Sequence, residues 1–335
     1  MKLVTAFFDL IRRDQTKRKN PLSYLENFKW IVGLNIPLIV FCDPEYAPII
    51  SSLAPLAEII PVKLEDLEVE KYRPMVSKLI TGKFLDGIYP EKFTTNYYLT
   101  IWSKFYLLQI IAKRETDKIY WIDFGIAHLK QYNPNFGLKF HLFLENIPDK
   151  IQLIQLEYFN EKSIDYSRSV CWFCGGFFGG KSEDILWFSQ EFIKQLDFDL
   201  TQSQLGAEEQ IMAWIVLRNP EKFTTSYGLY YSILDNLVEP YFDWEWIIYH
   251  LMGVARNDDP KFSEKIGNIL WKFKDQMTLN IQVRYLDEYF IALYNVRNLV
   301  KAFQIKSILE NLLLKVELKP DDRKRIENNL KYVDF

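Results

Sequence analysis

The sequence predicts an α/β protein, with a mixed sheet flanked by helices and a C-terminal region that is entirely helical. Three short apolar runs alternate with helical segments early in the chain, which is typical of a parallel sheet with right-handed crossovers. A fourth run, KIYWI, stops at Asp123, as a buried strand does where it reaches the edge of its sheet. After about residue 243, apolar residues recur at helical spacing and glycines are few, which predicts the helical region.

The first elements follow one another as strands and helices. The opening segment LVTAFFDL predicts a strand, and a polar cluster with Arg12 and Arg13 follows it. A helix then begins with Asn20 as its N-cap and Pro21 at its first position. The runs IPLIVFCDP, which ends at Asp43, and AEIIPV predict the second and third strands. The resulting order is βαβαβ.

The middle of the chain predicts a long helix, several strands and two more helices. In NYYLTIWSKFYLLQIIAK, Tyr98, Trp102 and Phe105 recur at helical spacing and should pack on the sheet. Lys104 lies off that stripe and is placed to reach a crevice. Strands are predicted for KFHLFL, KIQLIQLEYF, SVCWFCGGFFGG and TTSYGLYYSILDN. Helices are predicted after Gly180 and for GAEEQIMAWIVLRNP.

These elements predict two domains. Residues 1–254 would form the α/β domain, and residues 255–335 the helical region. The boundary is placed in GVARNDDP, because glycine, charged residues and proline together are typical of a loop. The sequence leaves open whether the helical region forms a homodimer.

Composition excludes several classes of protein. The chain has 335 residues, 49% of them hydrophobic, and a formal net charge of −3, so neither disorder nor a nucleic-acid partner is expected. Three cysteines do not make a paired disulfide framework. No run of about 18 uncharged apolar residues is present, which predicts no transmembrane segment. We therefore expect a cytoplasmic protein.

Two segments around the central strand suggest a ligand site. Residues just past the carboxyl end of a parallel strand face the ligand crevice of an open sheet, so Asp123 is placed to meet a ligand or a metal. The alternative is that Asp123 only marks where the chain surfaces. The glycines of CGGFFGG, which begin with Gly175 and Gly176, suggest backbone that passes close to a ligand, or else a turn or bulge.

Two adjacent carboxylates form the third candidate feature. Glu208 and Glu209 lie in the first turn of a predicted helix, where a negative charge also suits the helix dipole. Neighbouring side chains on a helix diverge by about 100°, so only one of the two can point into a crevice as a general base or nucleophile.

Several catalytic motifs are absent from the sequence. Neither GxGxxG after the first strand nor GxxxxGK[ST] before a helix occurs, which argues against these phosphate-binding loops. The letters DFG are not accompanied by the HRD motif or the glycine-rich loop of protein kinases. Three histidines show no HExxH or triad spacing.

A set of segments, taken in order, resembles the HtrL/YibB (WlaTC-like) family of glycosyltransferases, and more broadly the nucleotide-sugar-dependent enzymes of GT-A fold. The segments span about Val4 to Tyr231 and are VTAFFD, YLENFKW, IPLIVFCDP, WSKFYLLQ, YWIDFGI and GGFFGG with EEQ after it. The helical region is not covered by the resemblance.

The resemblance implies a GT-A-like fold, a nucleoside diphosphate sugar as donor, with a UDP-sugar favoured, and a glycan hydroxyl as acceptor. It places the nucleobase and ribose at Thr5, Ala6 and Phe7, with Asp43 near the same pocket. It also implies that the leaving diphosphate is stabilised by Lys104, Arg12 and Arg13.

The resemblance further implies that Asp123 stands in the DxD-type motif that holds a divalent cation, Mn²⁺ or Mg²⁺. Gly125 occupies the position of the second motif carboxylate, so the sequence leaves metal dependence open. Gly175 and Gly176 would line the acceptor side, and Glu208 or Glu209 would be the acidic catalytic residue.

Two other functions remain open at this point. The chain could be a non-catalytic interaction protein built on a degenerate nucleotide-binding domain, which the missing second carboxylate would favour. It could also be a sugar nucleotidyltransferase, which would use a similar sheet and cation but release pyrophosphate.

Overall fold

The computed structural model describes residues 1–14, 21–80, 93–129, 135–146, 148–164, 166, 171–238 and 244–331. The chain forms two compact units. The first unit comprises Met1–Gln155, Phe159–Ser226 and Tyr230–Val238, and the second comprises Leu156–Tyr158, Tyr227–Leu229 and Glu239–Phe335. The predicted domain boundary after residue 254 stays a prediction.

A mixed sheet organises the first unit, as the sequence predicts. Its strands in the described part of the chain are β1 (Lys2–Phe7), β2 (Leu38–Cys42), β3 (Glu58–Pro61), β4 (Lys118–Ile122), β5 (Ile151–Gln155), β6 (Phe177–Lys181) and β7 (Phe223–Tyr227). Their spatial order is β3-β2-β1-β4-β6-β5-β7. The β1–β2, β2–β3 and β1–β4 pairs are parallel, whereas β6 runs antiparallel to β4 and β5.

The strand order changes direction at β1. From β1 the chain moves outward through β2 to β3, and it then returns to β4 on the other side of β1. In an open α/β sheet, ligands bind beyond the carboxyl ends of the strands at such a switch point. The carboxyl ends of β1 and β4 are therefore where a ligand crevice is expected in this fold.

The helices of the first unit cover this sheet. They are α1 (Leu10–Asp14), α2 (Pro21–Gly33), α3 (Ala47–Leu53), α4 (Arg73–Ile80), α5 (Thr95–Ala112), α6 (Phe136–Asn146), α7 (Ser182–Thr201), α8 (Glu208–Arg218) and α9 (Ile233–Val238). Helix α2 begins at Pro21 as predicted, while the predicted cap Asn20 lies outside the described residues.

Helix α5 is the central buried helix of the first unit. It begins after Thr94, whose hydroxyl accepts a hydrogen bond from the backbone N–H of Tyr97 at 3.0 Å. The ring of Phe105 stacks on that of Phe192 in α7, with centroids 3.5 Å apart, and on that of Phe178 in β6 at 5.4 Å. This packing fixes α5 against the sheet, and with it every side chain that α5 presents near β4.

The second unit is helical, as predicted. Its helices are α10 (Trp244–Trp246), α11 (Val254–Asp258), α12 (Pro260–Leu270), α13 (Leu279–Asn295), α14 (Leu299–Leu313) and α15 (Pro320–Lys331), with a π-helix at Ile247–Gly253. No helix among the described residues is both long and apolar enough to cross a bilayer.

Three local predictions are wrong in whole or in part. Of the segment TTSYGLYYSILDN, predicted as a strand, only residues 224–227 lie in β7, which ends before Gly228, and Tyr230–Ser232 and Ile233–Val238 are helical. The segment KFHLFL, predicted as a strand, lies within α6, because the residues that bury the helix, Phe136, Phe140 and Leu144, recur every four positions and include one outside the segment. The segment GVARNDDP, predicted as a loop, is mostly helical. Its Asp259 and Pro260 are the N-cap and first residue of α12, with Asp259 Oδ1 accepting from the N–H of Phe262 at 3.0 Å.

Candidate active site

Three aspartates mark the carboxyl edge of the parallel strands. Asp43 and Asp123 directly follow β2 and β4, and Asp9 follows β1 after one intervening residue. Because β2, β1 and β4 are adjacent and parallel, their carboxyl ends lie along one edge of the sheet. The rings of Phe7 and Phe124, with centroids 4.7 Å apart, connect the ends of β1 and β4.

The buried ammonium of Lys104 joins the three segments that the sequence singled out. Its Nζ lies 2.8 Å from Glu208 Oε1, 2.9 Å from the carbonyl oxygen of Gly175 and 3.1 Å from Asp123 Oδ1. Lys104 is only 5% exposed, and its ammonium has three protons for these three acceptors. We call Lys104, Asp123, Glu208 and Gly175 the lysine centre.

Asp123 is held in place but keeps one oxygen free of these contacts. Its backbone N–H donates to the carbonyl of Gly176 at 2.8 Å, which extends the β4–β6 ladder by one residue. Both Trp121 Nε1, at 2.7 Å, and Lys104 Nζ contact Oδ1 rather than Oδ2. The side chain is 41% exposed, so Oδ2 can accept a hydrogen bond from a ligand.

Gly175 and Gly176 allow the two carboxylates to approach the backbone. A Cβ at Gly175 would lie 2.5 Å from Glu208 Oε1, and a Cβ at Gly176 would lie 3.3 Å from Asp123 Oδ2. The first distance is shorter than any van der Waals contact, so a side chain there would displace Glu208. The sequence suggests that the backbone at these glycines passes close to a ligand. In the structure, the groups that lie close to the glycine backbone are the carboxylates of Glu208 and Asp123.

Glu208 is the buried carboxylate of the pair at the start of α8. It is 3% exposed, and its Oε2 has no hydrogen-bond partner among the described residues. Burial acts to raise the pKa of Glu208, but the Lys104 ammonium outweighs burial and holds that pKa below its ordinary value. Glu208 is therefore ionised at neutral pH and paired with Lys104.

Glu209 has the opposite electrostatic behaviour. Burial, followed by the negative charge of Glu208, raises the pKa of Glu209 well above its ordinary value, and Lys104 offsets only part of this effect. Two adjacent carboxyl groups thus have pKa values moved in opposite directions. Such a separation is typical of acid–base sites in enzymes.

Two tyrosines that the sequence reasoning missed lie close enough to interact with these charges. Burial, and then Glu208 and Glu209, raise the pKa of Tyr97. Burial also raises the pKa of Tyr230, with Cys174 and Asp123 as the next causes. Tyr230 is 40% exposed, so it presents part of its ring to solvent near Asp123. In the sequence, Tyr97 is next to the apolar stripe of α5 and Tyr230 lies in a segment predicted to be a strand. Both patterns are typical of core residues, so neither predicts that these tyrosines lie near a site.

The expected nucleobase region lies at the end of β1. Thr5 and Phe7 are buried, and Ala6 between them is partly exposed. The ring of Phe7 packs edge-on against that of Tyr46, with centroids 4.9 Å apart. Thr5 Oγ1 has no hydrogen-bond partner among the described residues.

The arginines expected near a diphosphate are paired with carboxylates beside β2. Arg13 donates to both oxygens of Asp43, at 2.6 Å each, and to both oxygens of Glu65, at 2.9 Å each. Asp43 also accepts from the backbone N–H of Asp9 at 2.9 Å. We call Arg13, Asp43, Glu65 and Asp9 the arginine centre. Arg12 instead forms an ion pair with Glu45 in which both side chains are exposed.

Asp123, the residue expected to hold a divalent cation, has a lysine ammonium beside it instead of further oxygen ligands. A hard cation needs several oxygen ligands. At the lysine centre, an ammonium already lies between the two carboxylates. Asp123 Oδ2 would be a single protein ligand beside a resident positive charge.

The fold and these contacts define an α/β protein with a carboxylate–lysine cluster at the switch point of its sheet. A family model described as a bacterial protein of unknown function (HtrL_YibB) matches residues 1–237, and the chain belongs to this family. The family that the resemblance named is thus confirmed, whereas the glycosyltransferase activity and the GT-A fold that it implied stay predictions. No curated protein matches the chain.

Proposed function

We propose that this protein is a glycosyltransferase of GT-A-like type, which moves a sugar from a nucleoside diphosphate sugar to a hydroxyl of a glycan. One observation carries the proposal: Asp123, Glu208 and Gly175, from three separate segments, meet at Lys104 beside the switch point of the sheet. In this fold class, an active site is usually formed where charged and polar side chains from several elements meet at this edge of the sheet.

The donor would bind along the edge formed by β1 and β4. Asp123 Oδ2 is free to accept hydrogen bonds from the sugar or ribose hydroxyls of the donor. The partly exposed Ala6 and the ring of Phe7 would form the nucleobase side, and we favour uracil, as the resemblance implies. Lys104 supplies a fixed positive charge in a poorly hydrated place, where electrostatic effects are strongest.

Arg12 would join the diphosphate when the donor binds. Its ion pair with Glu45 is exposed on both sides, and such a pair stabilises a protein by about 1 kcal/mol or less, so it can be exchanged for a phosphate at small cost. Arg13 would not move, because four hydrogen bonds to Asp43 and Glu65 hold its guanidinium.

Glu209 would take the acceptor proton. The acceptor oxygen forms a bond to the anomeric carbon of the donor sugar, the bond from that carbon to the diphosphate breaks, and the hydroxyl proton passes to the Glu209 carboxylate. A raised pKa brings a carboxylate closer to the basicity that suits a general base near neutral pH. Glu208, which is ionised and bound to Lys104, is the weaker base of the two.

The cytoplasm is our proposed compartment. None of the three cysteines, Cys42, Cys171 and Cys174, takes part in a disulfide, and Cys42 and Cys174 are buried. Cysteines outside disulfides are typical of reducing compartments.

The proposal is tested by a donor-turnover screen. UDP, GDP and dTDP sugars are incubated with the full chain, and release of the nucleoside diphosphate is measured with and without glycan acceptors. We expect release with one nucleotide class, and a loss of 100-fold or more in Asp123→Ala. Asp149→Ala is the matched control, because Asp149 is an exposed aspartate paired only with Lys181 on the antiparallel side of the sheet, and it should keep full activity. Equal turnover in Asp123→Ala and wild type, at equal folding, would contradict the assignment of the site.

A further inference from the structure

The ammonium of Lys104 has the surroundings of a metal ion. Two carboxylate oxygens and one carbonyl oxygen lie within 2.8–3.1 Å of Nζ. Carboxylate and carbonyl oxygens are also the ligands that Mg²⁺ and Ca²⁺ take in proteins. We propose that Lys104 takes the place of a divalent cation in this site and positions Asp123 and Glu208 for the reaction, so that the protein needs no metal ion. The catalytic part of this inference rests on the proposed function.

The ammonium is built into the fold. Lys104 projects from the middle of α5, whose flanking residues Ser103 and Phe105 are both fully buried. Its ammonium donates hydrogen bonds to Glu208 Oε1 and to the Gly175 carbonyl, forms an ion pair with Asp123 Oδ1, and is almost fully enclosed. An ammonium held in this way stays with its two carboxylates, because removing either partner would leave a buried charge without compensation.

A second cation would be repelled from the same place. The free Asp123 Oδ2 belongs to the carboxylate that Lys104 already contacts, so an ion bound to Oδ2 would lie within a few ångströms of Nζ. Like charges at that separation repel each other, and the burial of Nζ limits how far water screens the repulsion. The resident ammonium therefore excludes a divalent ion from the lysine centre.

Removal of the ammonium should uncover a metal site. In Lys104→Ala, Glu208 Oε1, Asp123 Oδ1 and the Gly175 carbonyl lose their shared cation. Glu208 Oε2, buried and without a hydrogen-bond partner among the described residues, adds a fourth oxygen on the same side chain. These oxygens, together with water, are a suitable ligand set for Mn²⁺.

The experiment is a calorimetric titration of the full chain with MnCl₂ alone, after dialysis against EDTA and then buffer. Wild type should show no saturable binding up to about 1 mM Mn²⁺, and Lys104→Ala should bind one ion at least tenfold more tightly than that limit. The double variant Lys104→Ala/Asp123→Ala is the matched control and should lose this binding. Mn²⁺ should also raise the melting temperature of Lys104→Ala and leave that of wild type unchanged.

Two results would overturn the inference. One is stoichiometric Mn²⁺ binding to wild type that Asp123→Ala abolishes, and the other is a folded Lys104→Ala that binds no Mn²⁺. If Lys104→Ala does not fold, the inference is tested with wild type alone. It is overturned if Mn²⁺ binds wild type stoichiometrically, or if the melting temperature of wild type is higher in Mn²⁺ than in EDTA. None of these measurements uses a sugar nucleotide. Failure of this inference is therefore distinguishable from failure of the glycosyltransferase proposal, which the donor screen reports.

Discussion

The lysine centre and the arginine centre are two ways of burying a positive charge between two carboxylates at the same sheet edge. Arg13 uses its planar fork to bind both oxygens of Asp43 and both of Glu65. Lys104 is a point charge that contacts only one oxygen of Asp123 and one of Glu208. The difference leaves the lysine centre with unused carboxylate oxygens and the arginine centre with none.

This contrast separates a structural role from a chemical one. At the arginine centre, Asp43 is 1% exposed and every one of its oxygens has a partner, so the cluster joins β1, β2 and the segment after β3. At the lysine centre, Asp123 is 41% exposed and Oδ2 is available to a ligand. We infer that the arginine centre supports the edge on which the lysine centre acts.

The largest expected effect comes from removing the two cations in turn. Lys104→Met and Arg13→Met each leave one buried carboxylate, Glu208 or Asp43, without compensation, and each should lower the free energy of unfolding by about 3–5 kcal/mol. At a temperature where both variants are folded, Lys104→Met should lose donor turnover by at least 100-fold, and Arg13→Met by less than tenfold. Denaturant unfolding and turnover on the same samples measure both effects. Similar losses of turnover in the two variants would remove the contrast between the centres.

The next effect distinguishes the two glutamates by pH. The raised pKa of Glu209 keeps this carboxyl protonated at low pH, so turnover should rise with pH as Glu209 loses its proton and becomes a base. Glu209→Gln should lower kcat by about 10²–10⁴-fold and flatten this rise. Glu208→Gln should keep the rise but move it to lower pH, because the charge of Glu208 is one of the causes that raise the pKa of Glu209. The check is kcat against pH for both variants, and a profile that keeps its rise in Glu209→Gln would exclude Glu209 as the base.

A smaller effect distinguishes the two glycines. Gly175→Ala would place a methyl group 2.5 Å from Glu208 Oε1, which Lys104 holds, whereas in Gly176→Ala the contact with Asp123 Oδ2 is 3.3 Å. We expect Gly175→Ala to lower kcat/KM roughly tenfold or more and Gly176→Ala by a few-fold, since a misplacement of about 1 Å is costly at a reacting centre. Steady-state kinetics of the two variants test this order. A Gly175→Ala enzyme more active than Gly176→Ala would show that Glu208 need not stay in place.

The sequence predicts the sheet edge well because strand ends leave a simple signal. The apolar runs before Asp43 and Asp123 predict buried strands, and both residues follow β2 and β4 in the structure. Lys104 departs from the apolar stripe of α5, which marked it as a residue directed toward the site, and it contacts Asp123 and Glu208.

The partners of those residues could not be predicted, because they depend on long-range packing. The pairing of Arg13 with Asp43 and Glu65 joins positions 30 and 52 residues apart, and no local pattern encodes it. The opposite pKa shifts of Glu208 and Glu209 depend on the position of Lys104, 104 residues before Glu208 in the chain. The sequence predicts a strand where helix α6 lies, because the apolar residues of KFHLFL are almost continuous. In so short a run, apolar residues at every second position, as in a strand, cannot be told from apolar residues at every fourth position, as in a helix.

The most direct test of a donor site at the lysine centre is a calorimetric titration of wild type and Asp123→Ala with UDP, GDP and dTDP, in buffer that contains EDTA. The account predicts that wild type binds one of these nucleotides with a dissociation constant in the micromolar to millimolar range, and that Asp123→Ala binds the same nucleotide at least tenfold more weakly. Absence of binding by all three nucleotides in this buffer would contradict the account and favour a non-catalytic interaction protein.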